Sequence, residues 1–332
     1  MSKLKWGIIS TANIGTEKVI PGIQGSKLND VVAIASRNEE KARAAADKLG
    51  IARSYGTYEA MLADPDIDVV YNPLPNQLHV PLSLAALDAG KHVLCEKPIA
   101  MDAKEAEALS ARPEKPYLME AFMVRFHPQW LRAKEIVESG EIGEVTNIQT
   151  TFSYYNMDPA NIRNIPETGG GAVYDIGCYA IVAARFFFGA EPKRVVSIVD
   201  RDPTFKTDRL TSALMDFGDG RQSSWTVSTQ HVPFQRVNIF GTRKRVEIII
   251  PFNAPANEET LIRIDDGSAL DMSSAKTETI RSCDQYGEQA DAFAKVVLGQ
   301  TPLPYGPADA VQNMKIIDAI YRSGNSGAWE TL

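Results

Sequence analysis

Between residues 4 and 119 the chain repeats one rhythm, a short apolar run followed by a longer helical pattern. The runs are "LKWGII", "VVAIAS", "DVVYNP" and "HVLCEK", separated by segments such as "EEKARAAADKLG" and "VPLSLAALDAG". Consecutive Val and Ile without polar alternation suit parallel strands covered on both faces, and Gly50 and Gly90 stand where helices would stop. Parallel neighbours need a crossover helix between them, so this βαβ rhythm predicts a doubly wound parallel sheet.

Past about residue 122 the texture changes to α+β order. A helix at "PQWLRAKEIVESG", a strand at "EVTNIQTTFSYY" and a helix across "YDIGCYAIVAARFFFG" come first. The runs "VVSIVD", "SALMDF", "QSSWTVST" and "RVNIFG" follow, punctuated by Gly218, Asp219, Gly220 and Gly241, with strand-like sequence up to "VEIIIP". These read as a large, mostly antiparallel open sheet of hairpins, and "GEQADAFAKVVLG" and "PADAVQNMKIIDAIYRSG" as two closing amphipathic helices. The expectation is an α/β Rossmann domain over residues 1–121 and an α+β domain for substrate binding and oligomerisation over residues 122–332.

Composition narrows the function classes. With 332 residues, 44% of them hydrophobic, the chain can bury a sizeable interior, and a net charge of -7 without a Lys/Arg run argues against nucleic acid or an anionic membrane as partner. The opening "MSKLKWGIIS" lacks a signal-peptide cleavage region, and no uninterrupted apolar run approaches the roughly 18 residues of a membrane span, so a cytoplasmic, unprocessed protein is expected. Cys95, Cys178 and Cys283 are too few and scattered for a disulfide framework. The histidines His79, His92, His127 and His231 show no metal spacing, so no metal is expected.

After the first strand comes Ser10-Thr11-Ala12-Asn13-Ile14-Gly15, where a dinucleotide fingerprint would read G-x-G-x-x-G. Such a turn must be tight, its middle residue small enough for backbone N–H groups to reach a pyrophosphate, and its last residue small so that helix and strand pack closely. Ser and Ala meet the size demand in part, and an ordinary strand-to-helix turn is the competing reading. At the end of the second strand, where NAD-binding folds place Asp or Glu, stand Ser36 and Arg37, with Lys41 one helical turn on. A hydroxyl and two cations suit a 2'-phosphate, which points to NADP(H) ahead of NAD(H), although a surface arginine would read the same way.

"HVLCEKPIA" ends a strand on Glu96-Lys97-Pro98. Strands of such a sheet end at the ligand edge, so Lys97 can aim an ammonium at substrate while Glu96 holds the chain or a cofactor ribose. A lysine at a strand end can equally be merely solvated. A second constellation, "GGGAVYDIGCY", puts Asp175 and Tyr179 at i and i+4 behind three glycines, where they could converge on one carbinol; a glycine-rich helix start with a buried tyrosine is the alternative.

With these residues in view, the chain resembles the glucose-fructose oxidoreductase / inositol dehydrogenase / MocA superfamily over nearly its whole length. The marks are the turn after the first strand, "NPLPNQLHVPLSLAALDAGKHVLCEKP", "MEAFMVRFHPQW" and "GGGAVYDIGCY". The nearest branch holds NADP-dependent sugar dehydrogenases, glucose-fructose oxidoreductases and dihydrodiol dehydrogenases. The resemblance implies that Lys97 and Tyr179 are catalytic, that Asp175 positions substrate or relays a proton, and that Pro73, Leu74, Asn76 and His79 border the cofactor. It also implies pairing through the second sheet, hence a homodimer or homotetramer. Tyr179 stands where inositol dehydrogenases carry His, which disfavours inositol, and Ser10 and Ala12 depart from the glycine pattern. The N-terminal arm of glucose-fructose oxidoreductase is missing, so an exchangeable cofactor is expected.

The expected reaction is reversible hydride transfer between C4 of NADP(H) and a carbinol carbon of a sugar or polyol, with Lys97 and Tyr179 handling the hydroxyl proton. Arg125, His127, Arg163 and Tyr286 are candidate substrate contacts, each with a structural role as the alternative; for His79 that alternative is capping a helix start. Oxidation of arene trans-dihydrodiols is favoured instead if Phe122, Phe152 and Trp225 line the pocket, and a non-catalytic NAD(P)-sensing regulator is the third reading.

Overall fold

The computed structural model describes residues 3–332; Met1 and Ser2, which begin the stretch read for targeting signals, lie outside it. The chain divides into two compact units, one reaching to Met123 and taking in Asp284–Val311, the other made of Val124–Cys283 and Gln312–Leu332.

In the first unit six strands run parallel in the order β3-β2-β1-β4-β5-β6. They are β1 (Leu4–Ile9), β2 (Asn29–Ala35), β3 (Arg53–Tyr55), β4 (Val69–Asn72), β5 (His92–Cys95) and β6 (Leu118–Glu120). This is the doubly wound order, whose direction of winding switches between β1 and β4. Helix Glu39–Leu49 starts where the Asn38 side chain accepts from Lys41 N at 2.9 Å and stops at Gly50, whose φ of +67° few other residues adopt. The edge strands β3 and β6 were not expected from the sequence. Each is three residues long, too short for a pattern, and exists because a neighbouring strand offers its ladder.

A single division after residue 121 does not describe this chain. Helix Gln285–Val297 belongs with the first unit because its surface is shaped for it: a Cβ on Gly22 would lie 2.9 Å from Gly287 N, so the two backbones touch. Trp6 meets Phe293 edge-on at 6.2 Å, and Asn29 Nδ2 donates to Asp291 at 2.9 Å.

The second unit is built on nine strands, β7 (Val145–Tyr155), β8 (Arg194–Arg201), β9 (Asp208–Gly218), β10 (Arg221–Ser228), β11 (Gln230–Gly241), β12 (Arg245–Ile248), β13 (Thr260–Asp265), β14 (Lys276–Ile280) and β15 (Glu330–Thr331). Their order is β14-β13-β12-β11-β7-β10-β9-β8-β15, antiparallel throughout except for the β7–β10 pair. Gly218, Asp219 and Gly220, all at positive φ, make the β9–β10 turn. One face is covered by helices: Trp130, on helix Pro128–Glu138, stacks on Phe187 at 5.2 Å and donates from Nε1 to Pro251 O at 2.7 Å. The segment Pro166–Phe188 has the length and hydropathy of a membrane span, and most of it is buried in this unit.

Candidate active site

In the first unit the sequence motifs gather at the carboxyl ends of β1, β4 and β5. Ser10 leaves β1 at φ +79°, the left-handed conformation that the fingerprint's first glycine would adopt freely. Its N–H bonds to Ala35 O of β2 at 2.8 Å, continuing the β1–β2 ladder to the start of the turn. Gly15 opens a π-helical turn, Gly15–Val19, and a Cβ there would rest 3.6 Å from Tyr71 and Pro73, ordinary contact distance. The constraint in this turn is thus conformational at Ser10 and only weakly steric at Gly15. Ala12 accepts from Thr16 N at 3.0 Å, while Thr11, Asn13 and Ile14 line the partly open rim.

At the end of β2, Ser36 is buried and its Oγ accepts from Asn38 N at 3.2 Å. Arg37 and Lys41 are exposed beside it, and positions 36 and 37 hold no carboxylate, the nearest in sequence being Glu39 and Glu40 in the first turn of the following helix. A tight turn of small residues at the winding switch, together with a hydroxyl and two cations at the end of β2, fits a phosphorylated dinucleotide.

Tyr71 connects this turn to the Glu-Lys-Pro corner. Its hydroxyl donates to Glu96 Oε1 at 2.6 Å, and burial, with Glu96 beside it, pushes its pKa well up, so it stays a donor. Lys97, half-buried, takes its backbone bond from N–H to Glu96 Oε2 at 3.3 Å. The corner is held from both sides: Ile99 N donates to Glu120 Oε1 at 2.8 Å, and His79 Nδ1 lies 2.8 Å from Pro98 O. His79 Nε2 lies 2.6 Å from Leu74 O, so this buried ring ties the loop after β4, with Pro73, Leu74 and Asn76, to the loop after β5. Its two carbonyl partners favour an imidazolium, but burial dominates and lowers the pKa to about 4. The neutral ring has one N–H and so hydrogen-bonds only one of the two carbonyls; both nitrogens nonetheless face the protein, and His79 does not cap its helix. Tyr286 stands near Glu96, whose charge adds to burial in raising the phenol's pKa.

In the second unit the three glycines have separate causes. Gly169 has φ +78°, a Cβ on Gly170 would lie 2.6 Å from Arg163 O, and Gly171 combines φ +123° with a Cβ position 2.0 Å from Asp208 Oδ1. Behind them Val173–Gly177 is π-helical and Cys178–Phe188 α-helical, so Asp175 and Tyr179 lie on either side of a change in pitch, and simple α-helical phasing does not relate them. Their common face comes from β7 instead. Asp175 Oδ2 accepts from Tyr154 Oη at 2.6 Å, and the Tyr179 ring meets Phe152 edge-on at 6.1 Å. Phe152 and Tyr154, two apart on a strand, point the same way.

Arg163 Nε lies 2.9 Å from Asp175 Oδ2, and that carboxylate keeps the guanidinium charged. Arg125 is buried in the turn Met123–Phe126. His127 caps helix Pro128–Glu138 by accepting Gln129 N on Nδ1 at 3.1 Å, so its proton sits on Nε2, a buried donor without a partner among the described residues. Burial, with Arg281 nearby, lowers its pKa to about 4. Tyr71 and Tyr154 were missed in the sequence; a tyrosine behind two valines was the available signal for Tyr71, whereas Tyr154 lies in the polar and aromatic end of β7 and offered none. Among the described residues no group of three or more His, Cys, Asp or Glu gathers as a metal site would, and the three cysteines are buried and outside any disulfide.

A parallel sheet wound in the dinucleotide order, followed by a large mixed sheet carrying a glycine-bounded Asp/Tyr helix, defines an NAD(P)-dependent oxidoreductase. The chain belongs to the GFO/IDH/MocA family: residues 4–119 match the profile described as the oxidoreductase family, NAD-binding Rossmann fold, and residues 130–247 the GFO/IDH/MocA C-terminal domain. It is similar to an uncharacterized oxidoreductase of Rhizobium meliloti, 47% identical over the whole of both chains. It is also similar to D-xylose 1-dehydrogenase (NADP(+)) 2 of Haloferax volcanii, 40% identical over 98% of each. Among solved structures, the 3-ketoreductase KijD10 of Actinomadura kijaniata, in complex with NADP and TDP-benzene, superposes with a TM-score of 0.89 at 29% identity, covering 97% of this chain and 98% of that one.

Proposed function

We propose that this protein is an NADP(H)-dependent dehydrogenase or reductase acting on a carbinol or carbonyl carbon of a sugar or related polyol. The observation that carries the reading is the paired endowment of the two units: a phosphate-compatible turn with Ser36 and Arg37 in one, and Tyr179 beside an Asp175–Arg163–Tyr154 cluster in the other. NADP(H), when bound, supplies or accepts the hydride. Ser10 to Gly15 would hold its pyrophosphate through backbone N–H groups, Ser36, Arg37 and Lys41 its 2'-phosphate, and Pro73, Leu74, Asn76 and Glu96 would border it.

Lys97 and Tyr179 handle the hydroxyl proton. An ammonium and a phenol stabilise an oxygen that gains negative charge as a carbonyl is reduced, which an apolar side chain could not do. Asp175 and Arg163 orient sugar hydroxyls, and His127, with Nε2–H to donate, and Arg125 serve as further donors. His79 acts by holding the two loops rather than by contact, and Tyr286 belongs with the Glu96 end of the site. The relative from Haloferax volcanii is named for a sugar and for NADP(+), in keeping with this reading.

An arene dihydrodiol is the second reading, favoured by the Phe152 and Phe252 rings at 6.1 and 5.3 Å from the Tyr179 ring. The partly open sheet face carrying Ile198, 77% exposed, is the proposed seat of a homodimer or homotetramer, to be checked by size exclusion at low micromolar concentration. The central test is Lys97→Met and Tyr179→Phe assayed with NADPH against a panel of aldoses, ketoses and dihydrodiols. Turnover should drop at least about a hundredfold with NADPH binding retained. Survival of either variant within tenfold of wild type would remove that residue from the mechanism.

A further inference from the structure

Asp208 is a carboxylate buried to 1% exposure at the start of β9, thirty-three positions from the nearest acidic site residue, Asp175, and outside every motif read above. Its Oδ2 accepts from Val173 N at 2.8 Å and from Thr211 Oγ1 at 3.3 Å, and its Oδ1 accepts from Tyr321 Oη at 2.8 Å. Val173 begins the helical segment that carries Asp175 and Tyr179, and a first-turn N–H has no partner inside its own helix. No local side chain caps this end. The Asp208 carboxyl group does so from another element, through the hydrogen bond it accepts from Val173 N.

The third glycine makes room for it. A side chain at position 171 would overlap Asp208 Oδ1, so the glycine and the aspartate form one joint. Tyr321 closes the far side, with its ring against Tyr174 at 5.5 Å and under the Arg201 guanidinium at 5.5 Å. Burying a carboxylate is costly unless its hydrogen bonds are made, and packing alone would be served as well by an apolar residue. A joint of this kind is expected where the placement of a helix matters.

We propose that Asp208, backed by Tyr321, is a positioning residue for the reaction: it fixes the axial position and rotation of the Val173–Phe188 segment and so places Asp175 and Tyr179. The proposal rests on the reading of Tyr179 as a proton-handling group. Asp208 touches neither substrate nor cofactor and works through the helix. Its loss should therefore lower kcat while leaving the first unit's affinity for NADPH alone.

The test is steady-state kinetics on Asp208→Ala, Asp208→Asn and Tyr321→Phe in the full-length protein, with Tyr179→Phe alongside, NADPH affinity by fluorescence titration, and circular dichroism as a check of folding. Asp208→Ala should lose at least about twentyfold in kcat with the NADPH Kd within threefold of wild type. Asp208→Asn, which keeps an oxygen to accept from Val173 N, should recover to within about fivefold of wild type. Should Asp208→Ala fail to fold, Tyr321→Phe decides, with an expected loss in kcat of about three- to tenfold at unchanged NADPH affinity. Wild-type kcat in a folded Asp208→Ala, or in Tyr321→Phe where the alanine variant does not fold, overturns the proposal. So does an asparagine variant as impaired as the alanine one. A Tyr179→Phe variant with normal turnover refutes the functional reading itself, whereas an inactive Tyr179→Phe beside an active Asp208→Ala refutes only the positioning role.

Discussion

Tyr154 and Arg163 meet the same oxygen of Asp175, the hydroxyl donating at 2.6 Å and the guanidinium Nε at 2.9 Å. Burial, reinforced by the Asp175 charge, raises the Tyr154 pKa, so it remains a proton donor at any working pH. Asp175 is thereby pointed in one direction, as orienting a hydroxyl requires.

If the proposed sugar or polyol is the substrate, Tyr154→Phe should lower kcat/KM for it by about tenfold, in line with roughly 1.5 kcal/mol for a hydrogen bond to a charged group. Affinity for NADPH should not change, because the substitution lies in the second unit. Steady-state kinetics with varied sugar at saturating NADPH checks this.

On the proposed reading, cofactor choice turns on the end of β2. Arg37→Ala should raise the KM for NADPH by about tenfold and leave that for NADH nearly unaltered, because only the former carries a phosphate for the guanidinium to bond. Ser36→Asp should invert the preference by restoring the carboxylate that binds a free 2'-hydroxyl. Equal effects on both nucleotides would show that the two residues do not read the 2'-position.

Ser10 occupies a left-handed backbone position. For a residue with Cβ that conformation costs about 1–2 kcal/mol, whereas glycine adopts it freely but gives up about 0.5–1 kcal/mol through its looser unfolded chain. The two effects nearly cancel, so Ser10→Gly should stay within about 1 kcal/mol of wild type. Ser10→Val should lose about 2 kcal/mol, since a branched Cβ tolerates positive φ least. Chemical denaturation of both variants measures the difference.

Acid should destabilise the protein through His79 and His127, both of which burial holds near a pKa of about 4. An unfolded histidine titrates near about 6.5, so as pH falls from there the unfolded state takes up protons that the folded state refuses. The stability contribution is whole above pH 6.5 and shrinks as pH falls through the window down to 4, by at most about 3 kcal/mol per group. His127→Asn keeps a helix-capping side chain and removes one of these titrations. Its unfolding midpoint should therefore fall less between pH 7 and pH 4.5 than that of wild type, as urea titrations at both values will show.

Much of the first unit was legible because its signals are local. Val and Ile runs wide enough to be buried on both faces announced β1, β2, β4 and β5, and Gly50 announced a helix end because it reaches the left-handed conformation that other residues avoid. The three-residue β3 and β6 were illegible, as was the membership of residues 284–311 in the first unit, since that rests on a Gly22–Gly287 contact between segments far apart in sequence. At the candidate site, Lys97, Asp175 and Tyr179 stood out through their neighbours, glycines and a proline. Tyr71, Tyr154, Glu120 and Asp208 did not, because each is an isolated polar residue whose partner is supplied by folding.

The order of residues alone therefore determined the strand and helix types, the parallel winding of the first sheet and the chemistry available at each motif, since all of these follow from periodicity and side-chain type over a few residues. Only the tertiary structure decided which faces those residues share. It set the phase of Asp175 and Tyr179 through a π-helical turn and through β7, and it turned His79 from a candidate ligand contact into a tie between two loops. Hydrogen bonds and buried charges are satisfied by whatever the folded chain brings near, and nothing in a short stretch of sequence encodes that partner.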